Sequence, residues 1–427
     1  MGALGGSATP ESGAPIGLRV GKLVDGLGGP PISDAAILIE GERIAWVGEI
    51  AALPDPSLPM HDHSTATALP GLVDAHVHMS LFADGRSYEQ MAADPDSAMM
   101  LAAARNARTH LASGVTTARD NGARNSLGFD IRLAIASGLF EGPRMLVAGR
   151  PITCSGGHFG WCGEEADGED AIRESVRRLV AEGADHIKVM ASGGGTIGTD
   201  PTRPSYTVAE LTAARSVAHE LGRLTTAHCR ARESMDRAIE ARIDCIEHGE
   251  FLDADGVPRF NADTAQRMLE AGTYLSPTLA AYGWHTILRH RARRDVQPLS
   301  AAEDAELQRL ESVVDGRVEC VSRLLELGMG DRIVAGTDAG CFDFSFGHMD
   351  YDLELLVRAG MSPMQAIVAA TRLSATACGA EAEVGTLEAG KYADVLLVDG
   401  DPTRQVGDIS QVRAVFKAGT LVHTNGA

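Results

Sequence analysis

The chain is poor in aromatic residues and in positive charge. Of its 427 residues 4% are Phe, Trp or Tyr, and 38 Lys and Arg stand against 58 Asp and Glu, for a formal net charge of −20. So few aromatic side chains disfavour a module that binds its partners through an aromatic surface. An acidic surface repels phosphate backbones, so nucleic acid is excluded as a general partner.

Membrane and export signals are missing as well. No apolar run reaches the length of about 20 residues that spans a bilayer. The opening segment MGALGGSATPESGAP has neither the basic start nor the apolar core of a secretory signal. The chain as given is therefore expected in the cytoplasm, away from membranes, and a periplasmic or secreted location stays open if a signal peptide was removed.

Several familiar chemical motifs are absent too. Seven scattered cysteines include no CxxC pair, which argues against a disulfide framework and a thiolate zinc cluster. No GxGxxG turn follows the first barrel-type strand, and the glycine run at 193–195 lacks the Lys-Ser/Thr of a phosphate-binding loop. The GxSxG elbow of serine hydrolases is also missing. Dinucleotide binding and covalent catalysis are thus disfavoured.

What the chain does contain is a regular alternation of strand-like and helix-like segments. Residues 16–66 and the last 35 or so residues form short strand-like runs separated by turns. Between 70 and 380, eight apolar runs alternate with helical stretches: GLVDAHVH, GVTTARD, PRMLVAG, HIKVMAS, LTTAHC, CIEHGE, YLSPTL and RIVAGTDAG. The pattern predicts an α/β fold, a (β/α)8 TIM barrel over 70–380 with a small composite β-sandwich from residues 1–69 and 381–427. A doubly wound sheet is the alternative.

Ionisable side chains stand at or near the ends of five of these eight strands. Chemistry in such barrels collects at the carboxyl ends of the strands, and here those strands carry His76, His78, Lys188, His228, His248 and Asp338. A lone histidine there is more often a hydrogen-bonded core residue. A buried lysine is costly, however, and six such residues at one barrel mouth favour a metal centre. Imidazole and carboxylate groups suit zinc and related divalent ions.

The number of ions that such a centre would hold depends on the chemical state of Lys188. As an ammonium it would repel cations, whereas its carbamate, formed with CO2, would be an anion able to bridge two ions. Two ions about 3.5–4 Å apart would polarise an amide carbonyl. The expected cofactors are therefore two divalent ions, zinc by ligand type, together with a carboxylated Lys188.

These residues and two longer motifs resemble the binuclear metal-dependent amidohydrolase superfamily. LPGLVDAHVH is similar to its entry motif and ATACGAEAEVGTLEAGKYADVLLVDGDP to its exit motif, and the resemblance runs from about residue 18 to 424. It implies a (β/α)8 barrel, a β-sandwich from both termini and a homo-oligomer. It also implies a role for each ligand: His76 and His78 on the more buried ion, Lys188 as the bridge, His228 and His248 on the second ion, and Asp338 as ligand and proton shuttle.

Three loop motifs narrow the resemblance. ITCSGGHFGW, HIKVMASGGG and TDPTRPSYT resemble the Xaa-Pro dipeptidase and imidazolonepropionase-like branch, and in particular the bacterial ochratoxin A-degrading amidohydrolases and fungal ochratoxinase. This implies hydrolysis of an N-acyl amino acid or dipeptide with a free carboxylate, such as ochratoxin A to ochratoxin alpha and phenylalanine. Xaa-Pro or other dipeptides and cyclic amides of the imidazolone or hydantoin type are the alternatives. A non-catalytic scaffold is disfavoured because all six ligand positions are filled.

A substrate with a free carboxylate needs a positive or hydrogen-bonding clamp. His158, in the loop SGGHFG, is the first candidate to contact the carbonyl or carboxylate and the second catalytic candidate beside Asp338. Arg230 and Tyr206 are further candidates for substrate binding. A turn-stabilising role for His158 and an ordinary surface role for the other two stay open.

Overall fold

The computed structural model describes residues 15–425, so residues 1–14 and 426–427 of the predicted terminal segments lie outside the described part. Within it, no helix is long and apolar enough to cross a membrane. The division into 1–69, 70–380 and 381–427 stays a prediction. The strands are β1 (Ile16–Leu23), β2 (Ile32–Glu40), β3 (Arg43–Glu49), β4 (Met60–Pro70), β5 (Leu72–Val77), β6 (Val115–Asp120), β7 (Arg144–Val147), β8 (His186–Met190), β9 (Leu224–Ala231), β10 (Cys245–Leu252), β11 (Tyr274–Ser276), β12 (Val395–Asp399), β13 (Val412–Lys417) and β14 (Thr420–Thr424).

Helices follow most of the central strands. They are α1 (Tyr88–Ala92), α2 (Asp96–Ala112), α3 (Leu127–Ala136), α4 (Glu169–Glu182), α5 (Val208–Glu220), α6 (Arg232–Glu240), α7 (Ala262–Ala271), α8 (Trp284–Arg294), α9 (Ala301–Glu326), α10 (Met349–Arg358), α11 (Pro363–Val368) and α12 (Ser374–Ala377). Side-chain caps fix where several begin. Thr207 and Glu210 form a capping box on α5, and Ser300 and Glu303 form another on α9.

The central strands form a closed ring of eight parallel segments. β5, β6 and β7 make one parallel sheet, and β8 to β11 make a second. Single bridges join the sheets, from Ile152 to Val189 on one side and through residues 333–339 on the other. The predicted fold class is thus confirmed, with the helices outside and the carboxyl ends of the strands at one mouth.

The eighth segment differs from the strand predicted for RIVAGTDAG. It is extended but pairs in bridges only at its ends, Ile333 with Leu275 and Ala339 with Val77. Gly336 lies so close to β5 that a Cβ there would be 2.9 Å from the Cβ of His76. The close approach explains why this position carries glycine.

The two termini build one seven-stranded sheet in the order β14-β13-β12-β4-β1-β2-β3. Only β1 and β4 pair in parallel, and every other neighbouring pair in this sheet is antiparallel. Side chains from both ends of the chain, such as Leu18 and Val395, share one buried cluster. The sheet closes over this cluster, since the Ala393 N–H donates to the Glu42 carbonyl at 2.8 Å. Strands from both termini therefore form one composite β domain around a shared buried cluster.

Asp74, on β5, connects the eighth segment of the barrel to this first strand. Its carboxylate is fully buried and accepts hydrogen bonds from the backbone N–H groups of His76 and Thr337, both at 3.0 Å. It also accepts from the Thr337 hydroxyl at 2.6 Å and lies 3.1 Å from Nε2 of His110 on α2. Asp74 thus adds to the backbone hydrogen bonds between the two segments, such as the one from the Asp338 N–H to the His76 carbonyl at 2.7 Å.

We predict that Asp74→Ala destabilises the fold strongly. Two buried backbone N–H groups lose a charged acceptor, which lowers the free energy of unfolding by about 3 kcal/mol. Urea denaturation of metal-free protein, followed by circular dichroism, measures the change. Asp315→Ala is the control, because that exposed carboxylate on helix α9 makes a surface pair with Arg358 and its loss costs less than about 1 kcal/mol. Equal stability of the two variants would contradict the role given to Asp74.

Candidate active site

Three of the six predicted ligands form a tight buried cluster at the barrel mouth. Ligand atoms of His76, His78 and Asp338 all lie within 4.8 Å of one another. Oδ1 of Asp338 is 3.3 Å from Nε2 of His76 and 3.5 Å from Nε2 of His78. Two imidazole nitrogens and a carboxylate oxygen in this arrangement can hold a divalent metal ion.

The other three predicted ligands lie beside this cluster. The rings of His228 and His248 are 4.5 Å apart between centres, and His248 is 5.1 Å from the ring of His76. Lys188 lines the same cavity as both of these histidines and Asp338. The structure therefore brings all six residues together, and their role as metal ligands stays a prediction.

Hydrogen bonds determine which ring nitrogen of each β5 histidine, His76 and His78, is free to bind a metal ion. Nδ1 of His76 contacts the carboxylate of Glu247 at 2.7 Å, and Nδ1 of His78 contacts the carbonyl of Gly122 at 2.9 Å. Both partners accept, so each Nδ1 carries the proton and each Nε2 keeps its lone pair. This is the arrangement in which histidine binds a metal ion while its other nitrogen is held in place.

The two later histidines are oriented in different ways. Nδ1 of His248 contacts the hydroxyl of Thr278 at 2.8 Å, which leaves Nε2 directed to the cavity. His228 is reversed, because its Nε2 contacts the carbonyl of Gly193 at 3.2 Å. Its Nδ1 is then the nitrogen with a free lone pair.

Buried polar atoms without a hydrogen-bond partner show whether these residues fit a metal centre. Among the described residues, His76 Nε2, Lys188 Nζ and Asp338 Oδ1 are buried without a hydrogen-bond partner. Buried polar atoms are normally paired, so a converging group of unpaired ones indicates a missing ligand. A cation of the zinc class matches imidazole and carboxylate donors. The residues present fit the metal ions that the sequence implies.

Burial changes the chemistry of Lys188. The side chain is 1% exposed, and this burial lowers the pKa of its amine, although Glu247 and Asp338 oppose the shift. A lower pKa favours the neutral amine, which is the form that reacts with CO2. The environment therefore suits carboxylation of Lys188.

Two of the six predicted ligands have a strained backbone. His248 and Asp338 have φ angles of 69° and 56°, in the left-handed region that non-glycine residues rarely adopt. At His248 this breaks the alternation of β10, whose register with β9 shifts after that residue. As a result Glu247 contacts His76 while its neighbour His248 also faces the cavity. Strain of this kind is typical of functional sites.

Glu247 and Arg119 support the cluster and were not among the predicted site residues. Both are fully buried, their side chains meet at 2.8 Å, and Arg119 Nε donates to the Ala75 carbonyl at 2.7 Å. Burial would raise the pKa of Glu247, but His76 and Arg119 hold it well below its usual range. Glu247 is thus an anion that orients His76. The signal in the sequence was the charged residues that β6 (VTTARD) and β10 (CIEHGEFL) carry within the barrel pattern.

His158 lies in the cavity, as the predicted substrate contact requires. Its ring centre is 4.6 Å from that of His228, and its Nδ1 contacts the Thr196 hydroxyl at 2.8 Å. Burial, with Lys188 and Arg230 nearby, lowers the pKa of His158 to about 3, so the imidazole is neutral. Gly194 packs against the ring, where a Cβ would come within 2.5 Å.

Of the two remaining candidates for substrate binding, Arg230 lies at the cavity and Tyr206 does not. Arg230 lines the cavity, and its Nε donates to Glu250 at 3.0 Å, which leaves the outer nitrogens of the guanidinium without a protein hydrogen bond in residues 15–425. Tyr206 does not line the cavity, because its buried hydroxyl donates to the Ala166 carbonyl at 2.9 Å behind the loop. Tyr206 therefore has no contact with this site.

Aromatic rings that the sequence did not single out close the cavity. Tyr88, Tyr282 and Phe342 line it together with Phe159, and the cavity volume is about 10 Å³, which is room for about one water molecule. Ring centres of Tyr88 and Phe159 are 4.9 Å apart, and those of Tyr282 and Phe342 are 5.9 Å apart. Although the chain has few aromatic residues, four of them enclose the cluster.

Comparison with known proteins agrees with this geometry. The ochratoxinase of Aspergillus niger is 26% identical over 97% of this chain and 88% of that protein. An imidazolonepropionase of Cereibacter sphaeroides is 50% identical over 72 residues, 17% of this chain and 18% of that protein. The crystal structure of a Xaa-Pro dipeptidase with methionine bound in its active site has a TM-score of 0.82 and 27% identity, covering 96% of this chain and all of that one.

A family model gives the assignment. The model described as the amidohydrolase family matches residues 67–422, which is most of the chain. The A. niger ochratoxinase structure shares the fold, with a TM-score of 0.79 at 24% identity over 96% of each chain. This protein belongs to the amidohydrolase family and is a hydrolytic enzyme.

Proposed function

We propose that this amidohydrolase cleaves the amide bond between an acyl group and an amino acid that keeps a free carboxylate. The observation that carries the proposal is that Arg230 lines the same cavity as the buried His-His-Asp cluster. One cavity thus offers a site for an amide carbonyl and a cation for a carboxylate. The specific substrate that we propose is ochratoxin A, cleaved to ochratoxin alpha and phenylalanine, and the similarity to A. niger ochratoxinase supports it.

The cofactors in this proposal are two zinc-class ions. His76, His78, Lys188 as its carbamate, His228, His248 and Asp338 would hold them. When bound, such ions polarise a carbonyl group and lower the pKa of a water molecule.

The chain's own residues would move the protons. Burial raises the pKa of Asp338, which suits a carboxyl that first takes a proton from the attacking water and then gives it up. The amide nitrogen leaves only after protonation, so Asp338 would pass that proton to it. The neutral imidazole of His158 would donate a hydrogen bond to the carbonyl oxygen as negative charge develops there.

Arg230 would bind the substrate's carboxylate. Its Nε is held by Glu250, so the two outer nitrogens form a fixed fork directed to the cavity. A guanidinium fork matches a carboxylate with two parallel hydrogen bonds. This local cation also explains how a chain of net charge −20 would bind an anionic substrate.

Two other small-molecule substrate classes stay candidates. The Xaa-Pro dipeptidase structure at 27% identity supports dipeptides, and the imidazolonepropionase match over 72 residues supports a cyclic amide. A screen of N-acyl amino acids, ochratoxin A, Xaa-Pro and Xaa-Phe dipeptides, and lactams on zinc-loaded protein distinguishes them. Turnover of lactams or hydantoins alone would overturn the proposal. We also propose a homo-oligomer, on the family resemblance.

We predict that Asp338→Asn retains bound metal and loses turnover. The amide oxygen still binds a cation, but the side chain no longer accepts a proton, so kcat falls by about 10²–10⁴-fold. Metal analysis and steady-state kinetics measure both quantities on one preparation. Asp331→Asn, at an exposed position seven residues earlier in the chain, is the control and keeps wild-type kcat. Turnover of Asp338→Asn at the wild-type rate would refute the assignment.

Lys188→Met is predicted to lower the metal content. The thioether keeps the length of the side chain but cannot form a carbamate, so bound zinc falls from about two ions per chain to about one. Elemental analysis counts the ions, and ¹³C NMR after incubation with labelled bicarbonate detects the carbamate in wild-type protein. Lys22→Met, on the half-exposed side chain of β1, serves as the control. Two ions in Lys188→Met, or no carbamate signal in wild type, would contradict the bridging role.

We predict that Arg230→Gln selectively weakens substrates that carry a carboxylate. The value of kcat/KM for an N-acyl amino acid falls about 30-fold, equal to about 2 kcal/mol, because a charged pair is lost. The same substrate with its carboxylate converted to an amide changes little. Arg294→Gln, which is exposed, is the control. An equal loss for both substrates would exclude carboxylate binding by Arg230.

A further inference from the structure

A second cavity, here called the outer groove, adjoins the catalytic cavity. Its volume is about 350 Å³, and it shares three wall residues with the catalytic cavity: Arg230, Tyr282 and Phe342. Its own lining includes Leu310 and Val313 of helix α9. The two spaces are therefore neighbours with a common wall.

The shared wall is held firmly from behind. Arg317 of α9 is 3% exposed, and its guanidinium lies 4.0 Å from the ring centre of Tyr282. The Arg230 guanidinium lies 5.3 Å from that ring centre, so Tyr282 has two cations within cation–π range. Glu250 carries the bond to Arg230 and lies 4.0 Å from Arg317. Arg230 thus presents its fork from a fixed position at the boundary.

This position constrains the substrate. A carboxylate on Arg230 lies at the boundary, while the amide to be cleaved lies at the His-His-Asp cluster. The catalytic cavity has a volume of about 10 Å³ in this structure, so the larger groups of a substrate lie outside it. The side chain of the leaving amino acid is attached to the carbon between carboxylate and amide, so the space left for it is the outer groove.

We infer that the outer groove is the subsite for the side chain of the leaving amino acid, and that it selects large apolar side chains. This inference rests on the proposed function. The rings of Tyr282 and Phe342 with Leu310 and Val313 offer an apolar surface on which an aromatic side chain packs well. Two acidic residues, Glu306 and Asp343, and two arginines, Arg230 and Arg309, also line the groove, so neither sign of charge on the side chain is favoured.

The test is a series of substrates with one acyl group and Gly, Ala, Leu, Phe or Trp as the leaving amino acid, on zinc-loaded protein. Wild type is expected to favour Phe over Ala by about tenfold or more in kcat/KM. Val313→Trp fills the groove at a half-buried position and should reduce this ratio to about twofold or less. The value for Ala should stay within about twofold of wild type.

Val296→Trp is the matched control, since Val296 is 86% exposed between α8 and α9 and lies outside the groove lining. Equal loss for every leaving group, or a change in acyl-group preference instead, would overturn the inference. Calorimetry gives the dissociation constants of the same compounds. These distinguish a failure of the groove assignment from a failure of the proposed function. One outcome would be that no compound is hydrolysed, while Phe compounds bind more tightly than Gly compounds to wild type but not to Val313→Trp. That outcome supports the groove assignment and refutes the proposed reaction. Binding independent of the side chain would refute the groove assignment.

Discussion

Three polar atoms at the barrel mouth, His76 Nε2, Lys188 Nζ and Asp338 Oδ1, are buried with no hydrogen-bond partner in the described residues. Unpaired groups of this kind oppose folding unless a ligand satisfies them. Much of the nearby structure holds them in place: Glu247 orients His76, and Asp74 ties the eighth segment, which carries Asp338, to β5. Asp338, which carries one of these atoms, also has a strained backbone.

The surface of the protein and its catalytic cavity differ in the charged groups that they carry. The surface is acidic, while the cavity holds histidines kept neutral by burial, such as His158, a lysine whose pKa is lowered, and Arg230. Positive charge in the proposed enzyme would come from the bound ions and from Arg230. Net charge therefore describes the exterior and predicts little about the substrate.

The parts of the site that follow strand periodicity could be read from the sequence. His76 and His78, two residues apart on one strand, and Lys188 inside an apolar strand are of this kind. Periodicity fails where the backbone leaves regular strand geometry, so it did not predict that Glu247 and its neighbour His248 both face inward. Residues brought in by loops and by the α8–α9 pair, such as Tyr282, carry no local signal of where they pack.

The most direct test follows release of phenylalanine from an N-acyl-phenylalanine, with ochratoxin A included, while zinc is titrated into metal-free protein. The account predicts no release without metal and a rate that rises with bound zinc up to about two ions per chain. Equal hydrolysis by metal-free protein would contradict it. So would the absence of hydrolysis of any such compound by the fully loaded enzyme.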